Sequence, residues 1–211
     1  MNVIIFTNGD YTSLEFYEAY IKRINQPYII CADGGANFAK KLNIMPDIIL
    51  GDMDSISRET TAFYRNVKYK RYPVRKDETD TELAINHAIK MGASEVTILG
   101  ALGSRLDHSL GNIFLLTCFL DVGIKGKIVN EKNIIFLIKE NETFEFPIGT
   151  VVSLLPIGGD VEEINISGFE YPIVNGRMTM NKPYGISNVV IHQEQKIAFE
   201  KGLLLVIISE D

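Results

Sequence analysis

TDTELAINHAIKMGASEVTILG, residues 79–100, reads as a helix followed by a strand. Thr79 and Glu82 have capping-box spacing, in which a hydroxyl and a carboxylate satisfy the first free N–H groups of a helix. Ala84, Ile85, Ala88 and Ile89 then form an apolar stripe at helical period. Val96–Leu99 is a short apolar run of β type, and Asp107 to Leu120 reads as one long apolar helix. Helix, strand and helix in that order predict strands joined by crossover helices, and so a largely parallel sheet.

The same alternation extends back to the N-terminus. Val3–Phe6 is a β-branched run that ends in the turn Thr7-Asn8-Gly9-Asp10. Thr12 to Ile24 follows with apolar residues at Leu14, Tyr17, Ile21 and Ile24, which is helical spacing. Tyr28–Ala32, Asp47–Leu50 and the lysine-rich Val67–Tyr72 read as strands, with helices over Ala36–Leu42 and Arg58–Tyr64 between them. Beyond Gly123 the pattern changes to short β-type runs separated by Gly, Pro, Asn and Asp turns. They are Lys127–Asn130, Ile134–Ile138, Thr143–Phe146, Val151–Leu155, Ile164–Ser167, Met178–Asn181, Val189–His192, Lys196–Phe199 and Leu203–Ser209. The expected fold is therefore α/β followed by all-β: a Rossmann-like, largely parallel sheet with helices over residues 1–123, then an antiparallel β-sandwich over residues 124–211.

Composition narrows the function. The chain has 211 residues, 46% hydrophobic and 23% charged, which excludes disordered, collagen-like and coiled-coil proteins. Its net charge of −6 and its lack of a basic stripe argue against nucleic acid as a partner. Its apolar stretches fall short of the ~20 residues a membrane span needs, so no membrane partner is expected. Cys31 and Cys118 lie in apolar runs without metal-ligand spacing and read as reduced thiols of a cytoplasmic protein.

Ligands of open α/β sheets bind beyond the carboxyl ends of the strands. After the second to fifth expected strands come Ala32-Asp33-Gly34-Gly35, Gly51-Asp52-Met53-Asp54-Ser55, Arg75-Lys76-Asp77-Glu78-Thr79-Asp80 and Gly100–His108. These loops bring glycines, basic groups and aspartates to one edge of the sheet. Asp52 and Asp54 point the same way on extended chain, and carboxylate oxygens of this kind suit Mg²⁺ together with substrate phosphates. A solvated aspartate turn would look the same in isolation. Asp77 and Asp80 read either as helix-cap acids or as partners of a metal, with Lys76 and Arg75 balancing phosphate charge. Gly34, Gly35, Gly100 and Gly103 read as tight turns or as backbone open to a phosphate. The chain has neither G-x-x-x-x-G-K-S/T nor G-x-G-x-x-G, which disfavours a P-loop NTPase and an NAD enzyme.

Taken together, ADGGAN at 32–37, GDMDS at 51–55, KDETDTELA at 76–84, GALGSRLDH at 100–108 and GISN at 185–188 make the sequence resemble the thiamine pyrophosphokinase family. The resemblance implies transfer of pyrophosphate from ATP to the hydroxyl of thiamine, giving thiamine diphosphate and AMP, with Mg²⁺ as cofactor. It implies a homodimer whose two chains share each active site. By position, Asp52, Asp54 and Asp80 would hold the metal, and Asp77 would stand beside them in catalysis. Asp33, Gly34, Gly35, Lys76, Gly100, Gly103, Ser104, Arg105, Asp107 and His108 would bind ATP, and Ser187 and Asn188 the pyrimidine of thiamine. Three features depart from the family pattern. Ser104 stands where a further glycine is usual, Val189-Val190 follows GISN without an acid, and no tryptophan is present to stack on the vitamin, a role open to Tyr184 or another aromatic. The competing readings are a pyrophosphokinase or kinase of another alcohol, a nucleotide- or vitamin-binding sensor without turnover, and a metal-dependent phosphohydrolase.

Overall fold

The structure, a computed structural model, describes residues 1–210. The chain divides into two compact units, Met1–Glu131 and the chain from Lys132 onward.

The first unit runs β1 (Asn2–Phe6), α1 (Leu14–Lys22), β2 (Tyr28–Ala32), α2 (Gly35–Lys41), β3 (Ile48–Gly51), α3 (Arg58–Phe63), β4 (Lys68–Arg71), α4 (Asp80–Lys90), β5 (Glu95–Leu99), α5 (Leu106–Leu115), α6 (Thr117–Leu120) and β6 (Lys125–Val129). Its strands lie in the order β6-β5-β1-β2-β3-β4, every pair parallel. Strands covered on both faces need apolar residues at every position, and Val3–Phe6, Ile29–Ala32 and Ile48–Leu50 are buried without alternation. The lysine-rich β4 is tolerated because it forms the sheet edge, where charged side chains reach water and block further pairing. The chain builds outward from β1 to β4, then returns to place β5 on the other side of β1. The strand order therefore reverses between β1 and β5.

The second unit contains β7 (Asn133–Ile138), β8 (Glu142–Phe144), β9 (Val151–Pro156), β10 (Val161–Ser167), β11 (Ile173–Met178), β12 (Asn188–Val189), β13 (Gln195–Ala198) and β14 (Leu204–Ser209). They form two antiparallel layers, β12-β9-β14-β7 and β11-β10-β13-β8. Val152, Leu154, Leu204 and Val206 from one layer pack against Ile164, Ile166 and Ile197 from the other in a shared core. This is the expected sandwich.

Three segments differ from the sequence reading. Residues 125–129 pair in parallel with β5, so this strand completes the α/β sheet instead of opening the sandwich. The long helix is divided at Leu116, where the Thr117 hydroxyl donates to Phe114 O at 2.7 Å and the backbone bonds tighten to three-residue spacing. The run expected over Met178–Asn181 shares only Met178 with β11, which instead spans Ile173–Met178 and includes Asn175, where φ is 47° and the register with β10 shifts.

Candidate active site

Five loops leave the carboxyl ends of β1 to β5 and surround a cleft of about 570 Å³. Its wall includes Thr7–Asp10 after β1, Asp33 after β2, Asp52 and Ser55 after β3, Lys76 and Thr79–Thr81 at the start of α4, and Gly100–Arg105 after β5. His108, Ser109 and Asn112 of α5 close one side.

Three carboxylates meet at one end. Asp33, Asp52 and Asp80 each place an oxygen within 4.8 Å of the others. Backbone geometry forces this approach. Asp33 takes a left-handed φ of 42°, and Gly51 is needed beside it because a Cβ there would lie 3.0 Å from both Asp33 Cβ and Asp80 Oδ1. Asp33 Oδ2 accepts the Ser55 N–H at 3.0 Å, and Asn37 holds the same loop by accepting from Ser57 N at 2.9 Å and donating to Ser55 O at 2.9 Å. The Thr79 hydroxyl accepts from Glu82 N at 3.1 Å and fixes Asp80 at the first position of α4.

Charge at this end is only partly balanced. Lys76 Nζ lies 3.2 Å from Asp52 Oδ2 and 2.9 Å from Asp80 Oδ1, with little of the ammonium exposed. Burial works against the Lys76 charge, but the two carboxylates outweigh it and raise its pKa. Burial also works to raise Asp52, and the Asp54 backbone N–H and Lys76 reverse that and hold it below the usual value. Asp33 is different: burial pushes its carboxyl up, and its Oδ1 is buried with no hydrogen-bond partner. A buried carboxylate oxygen left unpaired is costly, and a divalent cation bound by hard oxygens satisfies it. The donor set therefore fits Mg²⁺.

The remaining sequence candidates separate into groups. Ser104, Arg105, Gly100, Gly103 and His108 line the cleft. Asp107 faces outward and pairs with Arg105 at 2.6 Å, which holds its carboxyl at about 2. Asp54 and Asp77 are exposed and stand outside the carboxylate cluster; Asp54 donates its N–H to Asp52 Oδ1 at 3.2 Å. Gly34 and Gly35 are packing positions: a Cβ would sit 2.4 Å from the Asn8 side chain at the first and 2.1 Å from Phe6 O at the second. In the second unit, Ser187 takes φ 58° and donates its N–H to Ser153 Oγ at 3.0 Å. Asn188 is buried. Its Oδ1 accepts from Tyr171 N at 3.0 Å and Val189 N at 3.1 Å, and its Nδ2 donates to Tyr171 O at 2.8 Å.

Sequence reasoning missed the loop after β1, along with Ser109 and Asn112. The signal was present in the turn Thr7-Asn8-Gly9-Asp10, at the carboxyl end of a strand like the other four loops.

A parallel α/β sheet with three carboxylates and a lysine gathered at its loop end is the arrangement of a phosphate-handling α/β protein. Residues 21–128 match the family model for the thiamin pyrophosphokinase catalytic domain, and residues 134–204 that for the thiamin pyrophosphokinase vitamin B1 binding domain. A thiamine pyrophosphokinase of Bacillus subtilis is 30% identical over 191 residues, covering 86% of this chain and 87% of that protein. Thiamine pyrophosphokinase 1 of Arabidopsis thaliana is 31% identical, covering 81% and 73%. The crystal structure of the Bacillus subtilis thiamine pyrophosphokinase superposes with a TM-score of 0.89 over the whole of both chains at 26% identity. The chain belongs to the thiamine pyrophosphokinase family and is a transferase that moves pyrophosphate from ATP to thiamine.

Proposed function

We propose that this transfer takes place in the cleft of the first unit on Mg²⁺·ATP, with Asp33, Asp52 and Asp80 as the protein ligands of the metal. The observation that carries the reading is that Asp33, whose Oδ1 is buried and unpartnered, has a carboxylate oxygen within 4.8 Å of oxygens from Asp52 and Asp80. Asp33 thus takes the place in the ligand set that the spacing of Asp52 and Asp54 suggested for Asp54, which instead orients Asp52 through its backbone. Mg²⁺ would neutralise phosphate oxygens and so favour attack at phosphorus.

The other residues position and balance charge. Lys76 supplies a fixed positive charge where the phosphates and metal meet, and Arg105 and His108 border the nucleotide further along. The oxygen of the thiamine hydroxyl bonds to the β-phosphorus, the bond from that phosphorus to the AMP oxygen breaks, and the hydroxyl loses its proton. Asp77, flanked by the cleft residues Lys76 and Glu78, is the proposed acceptor of that proton. Near-normal turnover in Asp77→Asn would exclude it.

In the second unit, the exposed Ser187 offers its hydroxyl to the pyrimidine. Asn188 spends its amide on Tyr171 and acts by holding that corner, with Tyr171 and Tyr184 the exposed aromatics nearby in sequence. Two copies sharing sites in the cytoplasm complete the reading, supported by the apolar stripe Leu106, Leu110 and Phe114 left exposed along α5.

Product analysis tests the proposal: protein with ATP, Mg²⁺ and thiamine, followed by separation of nucleotides and thiamine esters. Equal amounts of AMP and thiamine diphosphate are expected, both lost without Mg²⁺ and in Asp52→Asn. ADP with thiamine monophosphate would place the attack on the wrong phosphorus. AMP formation only with a different alcohol would overturn the vitamin half of the reading.

A further inference from the structure

We propose that Asp10, on the loop after β1, selects ribonucleotides by accepting hydrogen bonds from the vicinal 2′ and 3′ hydroxyls of the bound nucleotide. The inference rests on the reading of the cleft as the ATP site and adds a specificity residue to it.

Asp10 lines the cleft at the junction of β1 and β5, where the strand order reverses and a crevice opens between successive loops. Asp10 N donates to Leu102 O at 2.9 Å, and the Tyr11 hydroxyl lies 2.8 Å from Thr7 O and 3.0 Å from Leu99 O, so it ties the two loops together. Gly9 approaches so closely that a Cβ would sit 2.1 Å from Gly100 O. The loop therefore holds Asp10 in place before any ligand arrives, and little ordering is left to pay on binding.

Among the described residues the Asp10 carboxylate has no hydrogen-bond or ion-pair partner, and it is not a member of the Asp33, Asp52 and Asp80 cluster. Gly103 lines the cleft beside it, and even a Cβ there would come only to 3.4 Å from the carboxylate. A free carboxylate repels phosphate and attracts neutral donors. The triphosphate belongs with the metal ligands and Lys76, which leaves the nucleoside for the end of the cleft built by Thr7–Asp10 and Gly100–Arg105. A ribose offers two adjacent hydroxyl donors, a match for two carboxylate oxygens. The adenine amino group offers only one site.

Equilibrium dialysis of the full chain with Mg²⁺ and without thiamine tests this independently of turnover. Kd is measured for ATP, 2′-deoxy-ATP, 3′-deoxy-ATP and ITP with wild type, Asp10→Asn and Asp10→Ala. Hydrogen bonds to a charged acceptor are worth enough that wild type is expected to prefer ATP about tenfold over each deoxynucleotide. The preference should shrink to within about twofold in Asp10→Ala and persist in part in Asp10→Asn, whose amide oxygen still accepts. Asp10 is exposed and its side chain makes no internal bond, so an unchanged thermal melt shows the variants are folded. Equal binding of ATP and both deoxynucleotides by wild type would overturn the proposal, as would a preference kept in Asp10→Ala. So would an effect of the variants confined to ITP. Failure of wild type to bind any nucleotide would instead remove the ATP reading of the cleft, and this proposal with it.

Discussion

Asp33 concentrates unfavourable features that a structural role would not need. Its backbone is left-handed, its side chain is buried and one of its oxygens is unpaired. Without metal, Asp33→Asn should therefore melt at least as high as wild type, since a desolvated charge is removed. With Mg²⁺ and ATP the order should reverse: wild type gains stability by ligand linkage, and the variant gains less and loses at least a hundredfold in turnover. Thermal melts with and without Mg²⁺·ATP check both halves.

Glu131 gives a stability prediction away from the site. Its Oε1 accepts from Thr12 N at 2.6 Å and Ser13 N at 2.8 Å, and its Oε2 from the Tyr17 hydroxyl at 3.0 Å. Burial works to raise its pKa, but backbone N–H groups, its own and those of Ser13 and Thr12, outweigh it and lower the folded value below 4.5. A carboxylate depressed on folding contributes stability above its unfolded pKa and loses it as the pH falls through the folded one. Glu131→Gln is expected to cost about 1–2 kcal/mol at pH 7 and progressively less below pH 4.5, as read from urea titrations at several pH values.

Elements carry two further expectations. Thr79→Ala removes the cap that places Asp80, and should cost about 1 kcal/mol and raise the Mg²⁺ concentration needed for half-maximal turnover. Gly35→Ala would press a methyl onto Phe6 O where α2 crosses β1, and should cost about 3 kcal/mol or more in chemical denaturation. Helices with a stripe and a capping residue, such as α4, were legible because both signals are local. The run at Lys127–Asn130 was legible as a strand, but its sheet was not, since KGKIV carries no local sign of the partner it will find and only the fold pairs it with β5.

For the whole molecule, the stripe on α5 leaves Leu106 69%, Leu110 43% and Phe114 52% exposed on one face. Sedimentation velocity is expected to show a dimer of 23.7 kDa chains, and Leu110→Asp to shift it towards monomer. A wild-type monomer at working concentration would remove the shared-site arrangement.

What the sequence determined by itself was the α/β-then-β order, the loops that meet at one sheet edge, and the family whose motifs they carry. These are readable because periodicity and turn chemistry are properties of neighbouring residues. The tertiary structure alone decided that Asp33 lies with Asp52 and Asp80 while Asp54 stays exposed, that Gly34 and Gly35 leave no room for a Cβ, and that the loop after β1 lines the cleft. Each of these depends on strands far apart in the chain lying side by side, and on one left-handed residue aiming a carboxylate that spacing along the chain could not aim.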